Sequence, residues 1–339
     1  MYHVYISVSG EDRIARYRMD AESGALAFVE DIALPGRPAY AAVDPDRRFM
    51  YVARKGSLQI TSFAIDPAEG ALREIGTVST AADPAYLSTD KTGRYLLSAS
   101  YFDGITAVHG IGADGAVVEG PIEWRTTGMR AHSIESDPSN RFVFVPHICR
   151  EDAPNTIFQF RFNSATGQLT PNTPDRCDPP GPDGPRHFCF HPGKPVLYVS
   201  NEQGCSVGAY ALDVAAGTLS HIRTVTTLPD GWAGENKCSQ IRITPDGRHL
   251  YAPNRGHDSI AMFAVDPADG ALQPIGHAAA ETIPRAFQID PDGRFLLSAG
   301  HESGRLAVYR IEQGSGQLER IATHPLGSLP MWITILQAA

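Results

Sequence analysis

The chain has 339 residues, 42% of them hydrophobic, 20% charged, and a formal net charge of −9. That apolar fraction supports a packed core, and the acidic balance disfavours nucleic acid as a partner, because phosphate-backbone binding relies on a basic face. No apolar run is long enough to span a membrane, and the five cysteines (Cys149, Cys177, Cys189, Cys205, Cys238) show no CxxC spacing, which argues against a disulfide framework or a zinc site and predicts a reducing, cytoplasmic setting.

Read in chain order, the first 30 residues give three alternating segments, HVYISVS, RIARYRM and GALAFVE, with neither the basic start nor the apolar stretch of a secretory signal. From there a unit repeats: an apolar strand, a turn, a second apolar strand, a third, a second turn, a fourth. The first turn reads DPDRR from Asp44, DKTGR from Asp90, DPSNR from Asp137, HPGKP from His191, TPDGR from Thr244 and DPDGR from Asp290. After it come FMYVA, YLLSA, FVFVP, VLYVS, HLYAP and FLLSA, and the second turn reads DPAEGAL, SATGQL, DPADGAL or GSGQL. Pro presets φ in such turns and Gly accepts positive φ.

Four short strands in a period of about 45–55 residues predict an all-β, seven-bladed β-propeller with four-stranded blades, one domain over 1–339. Six units are complete. The seventh is split: the N-terminal segments lack a first strand, and MWITIL at 331–336 is a first strand without followers. Joining them closes the last blade and removes an open sheet edge. A regular period of this kind is not a sandwich feature.

The two longest repeats carry their extra residues at 149–155, 171–185 and 225–239, all expected as loops on the face where first strands begin and second strands end. Insertions gathered on one face mark a binding side. Before first strands stand Arg130-Ala131-His132, Pro185-Arg186-His187, Cys238-Ser239-Gln240 and Pro284-Arg285. After second strands stand Pro146-His147, Asn201-Glu202, Asn254-Arg255 and Gly300-His301. Arginines bind carboxylate, phosphate or a developing oxyanion through fork-shaped donors, and a Glu and a His beside them supply proton transfer. This puts His132, Arg186, Glu202 and Arg255 forward as catalytic candidates. His147, His187, Asn201, Gln240, Asn254, Arg285 and His301 are the substrate-binding candidates. His191 falls in a turn on the other face, and Cys189 and Cys205 read as strand packing. No GxSxG elbow or HExxH string occurs, and no carboxylate cluster suggests calcium, so no metal and no cofactor is expected.

The strings YISVSGEDRIARY, AHSIESDPSNR, GPRHFCFHP, YVSNEQGCSV, ITPDGRHLYAPNRGHDSI, PRAFQIDPDGRFLLSAG and LPMWITI span nearly the whole chain. In them the sequence resembles the lactonase-type seven-bladed propellers, a family that includes propeller 6-phosphogluconolactonases and 3-carboxy-cis,cis-muconate lactonizing enzymes. The resemblance implies chemistry on a lactone, with site residues falling on His132 in AHS, Arg186 in GPRH, Glu202 in NE and Arg255 in NR. The expected reaction is hydrolysis of an aldono-δ-lactone, a small anionic or sugar substrate. A δ-to-γ lactone isomerase or a muconate-type cycloisomerase would use the same residues. A protein-binding propeller would show an apolar rim, and this rim is polar and basic.

Overall fold

The structure is a computed structural model in which residues 1–338 are described. Its strands form seven sheets, each an antiparallel meander of four strand positions. They are numbered here as blades. Blade one holds Pro38–Val43, Phe49–Arg54, Gln59–Ile65 and Leu72–Ser79; blade two Pro84–Thr89, Tyr95–Ser100, Ile105–Ile111 and Val117–Thr126. Blade three holds Glu135–Ser136, Phe142–Pro146, Ile157–Asn163 and Gln168–Cys177; blade four Pro185–Phe190, Val196–Asn201, Ser206–Asp213 and Thr218–Thr226. In blade five the first position is split into Lys237–Cys238 and Arg242–Ile243, followed by His249–Arg255, Ser259–Val265 and Leu272–Ala279. Blade six holds Pro284–Ile289, Phe295–Gly300, Arg305–Ile311 and Leu318–Pro325.

Blade seven joins the two ends of the chain in the order Pro330–Gln337, Tyr2–Val8, Arg13–Met19, Leu26–Ala33. Tyr2 opposes Gln337 and Ser7 opposes Trp332, so the C-terminal strand occupies the missing first position. The closure expected from the split repeat is present.

The repeated first turn works through its leading side chain. Asp90 Oδ1 accepts the backbone N–H groups of Arg94 and Tyr95 at 2.9 and 3.0 Å. Asp137 Oδ1 does the same for Arg141 and Phe142, at 2.9 Å each. Asp290 Oδ1 takes those of Arg294 and Phe295. All three carboxylates are buried. Where the sequence departs from Asp, the replacement does related work: Thr244 Oγ1 accepts from His249 N–H and His191 Nδ1 from Gly193 N–H. Asp290→Ala removes the acceptor of one buried and one half-buried backbone donor, so it should cost about 2 kcal/mol in urea unfolding with the slope unchanged. An unaltered midpoint would show that the turn holds without its cap.

The packing resolves into two compact units, one of residues 1–34, 187–211 and 221–337, the other of residues 35–186 and 212–220. In the first, blades six and seven share a core around Val4, Ile6, Leu297, Ala299, Val308 and Ile333. Tyr198, Val207, Leu250 and Phe263 join blades four and five, and Tyr251, Ile260, Phe287 and Leu296 join five and six. In the second, Tyr51, Ile60, Leu87 and Leu96 join blades one and two.

Two features depart from the sequence expectation. Residues 171–177 continue the fourth strand of blade three rather than a loop, and 225–226 end the fourth strand of blade four, so the inserted loops shrink to 178–184 and 227–236. The first strands of blades three and five are interrupted at Ser133 and at Ser239-Gln240. Polar side chains there bond to the next blade instead of the ladder. Ser133 Oγ donates to the Arg186 carbonyl at 2.9 Å, Ser239 Oγ donates to the Pro284 carbonyl at 2.7 Å, and Gln240 Oε1 accepts from Phe287 N–H at 2.9 Å.

Candidate active site

Within the first unit the structure brings Glu202 and Arg255 together. Arg255 ends the second strand of blade five, and Glu202 follows the second strand of blade four. Arg255 Nη2 donates to Glu202 Oε2 at 2.7 Å and to the Cys238 carbonyl at 2.7 Å, with side chains only 11% and 7% exposed. Cys238 N–H in turn donates to the Glu202 carbonyl at 3.2 Å. Arg255 Nε is buried and has no hydrogen-bond partner among the described residues. A buried guanidinium with one N–H uncommitted is a donor preset for an anionic or developing negative oxygen, since an unmade bond to a buried charge is costly.

The two asparagines beside this pair play another part. Asn254 Nδ2 donates to the Thr227 carbonyl at 2.7 Å and to Ser259 Oγ at 3.2 Å, while its Oδ1 accepts from Thr227 Oγ1 and Asn236 Nδ2. Asn201 Nδ2 donates to Ser206 Oγ at 3.0 Å, leaving Oδ1 buried without a partner among the described residues. Each asparagine thus ties the two ends of its hairpin, five residues apart, and holds the residue that follows it. The signal was in the sequence as the shared spacing of NEQGCS and NRGHDS. Thr227 and Asn236, in the inserted loop, carried no such signal, yet they fasten that loop to Asn254.

The other candidates of this unit are placed as follows. Gln240 is buried and bonded to blade six. His187 is buried, with its ring 6.3 Å from Trp332. Arg285 and His301 are half-buried at the two ends of the first hairpin of blade six. His301 Nδ1 lies 3.2 Å from the Pro330 carbonyl. Lys237 is exposed. Burial pushes the Cys205 thiol up and the Cys238 thiol to about 12, so neither is a ready nucleophile.

In the second unit, Arg186 is fully buried at the start of blade four and His132 is buried, edge-on to Tyr101 at 5.4 Å. His147 is completely buried. Its Nδ1 lies 3.1 Å from the Val145 carbonyl and its Nε2 3.1 Å from Thr127 Oγ1. Burial holds it far down, at about 4, so it stays neutral at neutral pH. Both ring nitrogens are occupied by the protein, which gives His147 a structural place. Arg130 is paired with Asp152 through two bonds and lies over the Tyr101 ring.

Comparison with known proteins gives this arrangement its class. Residues 3–335 match the model of the family described as "Lactonase, 7-bladed beta-propeller". The chain belongs to that family, and its fold class is the seven-bladed β-propeller. It is 35% identical over 334 residues to a 6-phosphogluconolactonase of Pectobacterium carotovorum, covering 98% of this chain and 85% of that one. It is 34% identical to the 6-phosphogluconolactonase of Serratia proteamaculans, covering 98% of each. Among solved structures, a periplasmic gluconolactonase of Pseudomonas aeruginosa superposes with a TM-score of 0.89 at 28% identity, covering 100% of this chain and 99% of that one. Among the described residues, no helix is long and apolar enough to cross a membrane.

Proposed function

We propose that this chain hydrolyses an aldono-δ-lactone to the open aldonate. The observation that carries the reading is the buried Arg255–Glu202 pair with its uncommitted Nε, in a chain whose relatives are named 6-phosphogluconolactonases and a gluconolactonase. Attack on a lactone carbonyl turns a weakly polar C=O into an oxyanion. A fixed guanidinium stabilises that change without reorganising at the moment of reaction. Glu202 keeps Arg255 in place.

The test is to follow glucono-, galactono- and 6-phosphoglucono-δ-lactones by NMR with and without the protein, subtracting spontaneous hydrolysis. Accelerated appearance of the aldonate supports the reading. Conversion to a γ-lactone without net hydrolysis, or no acceleration on any of the three, overturns it. Activity should also survive chelation. The Arg255 guanidinium supplies the positive charge that a metal ion would otherwise bring to the carbonyl oxygen. Loss of turnover in EDTA with recovery on adding a divalent ion would contradict this.

A further inference from the structure

Blades four, five and six repeat one backbone device with three different side chains. The hairpin between second and third strands ends in a left-handed residue in each: Cys205 at φ 47°, Asp258 at φ 50° and Gly304 at φ 63°. Three residues earlier stand Glu202, Arg255 and His301. The repeat therefore gives His301 the blade position that supplies both members of the ion pair. In that pair, Glu202 Oε2 is occupied by Arg255 and Oε1 lies 3.4 Å from the Gln203 amide.

The His301 ring is set differently. A carbonyl oxygen only accepts, so the 3.2 Å contact to Pro330 O puts the proton on Nδ1 and the lone pair on Nε2. No hydrogen bond to Nε2 exists among the described residues, and the side chain is half-buried rather than sealed. The charged groups that act electrostatically on the ring are Arg285 from the first strand of its own blade, Arg255 from blade five and Glu302 next in the chain. Burial, then the two arginines, hold the imidazole below the ordinary histidine value of 6.5 against the opposing pull of the Pro330 carbonyl and Glu302. At neutral pH the ring is a neutral base with a fixed tautomer, oriented by the Pro330 carbonyl and within the field of two guanidinium groups.

We infer that His301, through Nε2, is the catalytic base of the lactone hydrolysis proposed above, and that Glu202 is a positioning residue for Arg255. The assignment rests on that functional reading. Nε2 takes one proton from water as its oxygen bonds to the carbonyl carbon. The oxyanion collapses, the ring C–O bond breaks, and the imidazolium returns the proton to the leaving ring oxygen. The product carboxylic acid then ionises to solvent. Atoms and charge balance, and histidine ends as it began.

The experiment compares wild type, His301→Asn, His301→Ala and Glu202→Gln on the lactone turned over fastest. Asn keeps a donor for the Pro330 carbonyl but has no lone pair at the Nε2 position. The expected result is a fall in kcat of about 10²-fold or more for His301→Asn with KM within about twofold. The acid limb of the wild-type pH profile, falling as pH drops through the depressed histidine range, should be absent in this variant and retained in Glu202→Gln. Free imidazole should raise the rate of His301→Ala, a rescue that a packing role would not show. His301→Asn within threefold of wild type, or no imidazole rescue of His301→Ala, overturns the assignment; so does an acid limb that disappears only in Glu202→Gln. A wild-type protein inactive on every lactone overturns the functional reading itself, an outcome separate from all of these.

Discussion

Arg255→Ala should lower kcat/KM on the preferred lactone by about 10²- to 10³-fold, the usual effect of removing one preorganised oxyanion donor. The loss should fall mainly on kcat, because the carbonyl oxygen gains its charge only in the transition state. Arg255→Lys should recover only part of it. A lysine ammonium is a point charge, whereas Arg255 uses Nη2 to reach Glu202 and the Cys238 carbonyl while Nε stays uncommitted. One ammonium cannot reproduce that division of labour. Glu202→Ala should also destabilise the protein, by about 3 kcal/mol, because it strands a buried guanidinium. The double variant should be more stable than the sum of the single effects, since the stranded charge leaves with its partner. Steady-state kinetics and urea unfolding of the four proteins decide this. An Arg255→Ala enzyme with unchanged kcat/KM would remove Arg255 from the chemistry and leave the pair as a structural one.

The fold was legible because the turn chemistry is local. Asp44, Asp90, Asp137 and Asp290 cap their own turns within five residues, so the sequence spells the turn wherever the turn occurs. The split blade was legible for the same reason, by counting strands against turns. The ends of second strands, where Glu202, Arg255 and His301 stand, followed from that count alone. What a side chain does at such an end depends on neighbours that are distant in sequence. His147 and His301 occupy corresponding positions and look alike on paper. One has both nitrogens taken, by Val145 and Thr127; the other has one nitrogen tied to Pro330 and one open. Residues 171–177 read as loop in the sequence because Pro171, Asn172 and Pro174 are strand breakers by local propensity. There Asn172 Nδ2 is bonded to the Ala216 and Gly217 carbonyls, and the Pro174 carbonyl accepts from Gln159 Nε2, so partners far along the chain hold the strand.

Ending the chain at Leu329 should abolish cooperative folding. The deletion takes away the whole strand Pro330–Gln337, whose Met331, Trp332, Ile333 and Ile335 are buried. At about 2 kcal/mol for each large apolar side chain returned to water, the loss is about 8 kcal/mol. That is comparable to the whole stability of a typical domain, about 5–15 kcal/mol. The damage goes further than lost area. Tyr2–Val8 is buried along its entire length and pairs with the C-terminal strand on one side and Arg13–Met19 on the other. Removing the first partner exposes a row of backbone N–H and C=O groups between apolar side chains, a template for edge-to-edge association. The truncated chain should therefore lose its near-UV circular dichroism and its sharp thermal transition, and sediment as aggregate. The milder Ile333→Ala leaves the ladder intact and creates only a cavity among Val4, Ile6 and Leu297, which should cost about 3 kcal/mol in a transition that stays cooperative. The contrast separates ladder from packing: if truncation and Ile333→Ala lower stability by the same small amount, the C-terminal strand is an ornament on a fold that closes without it.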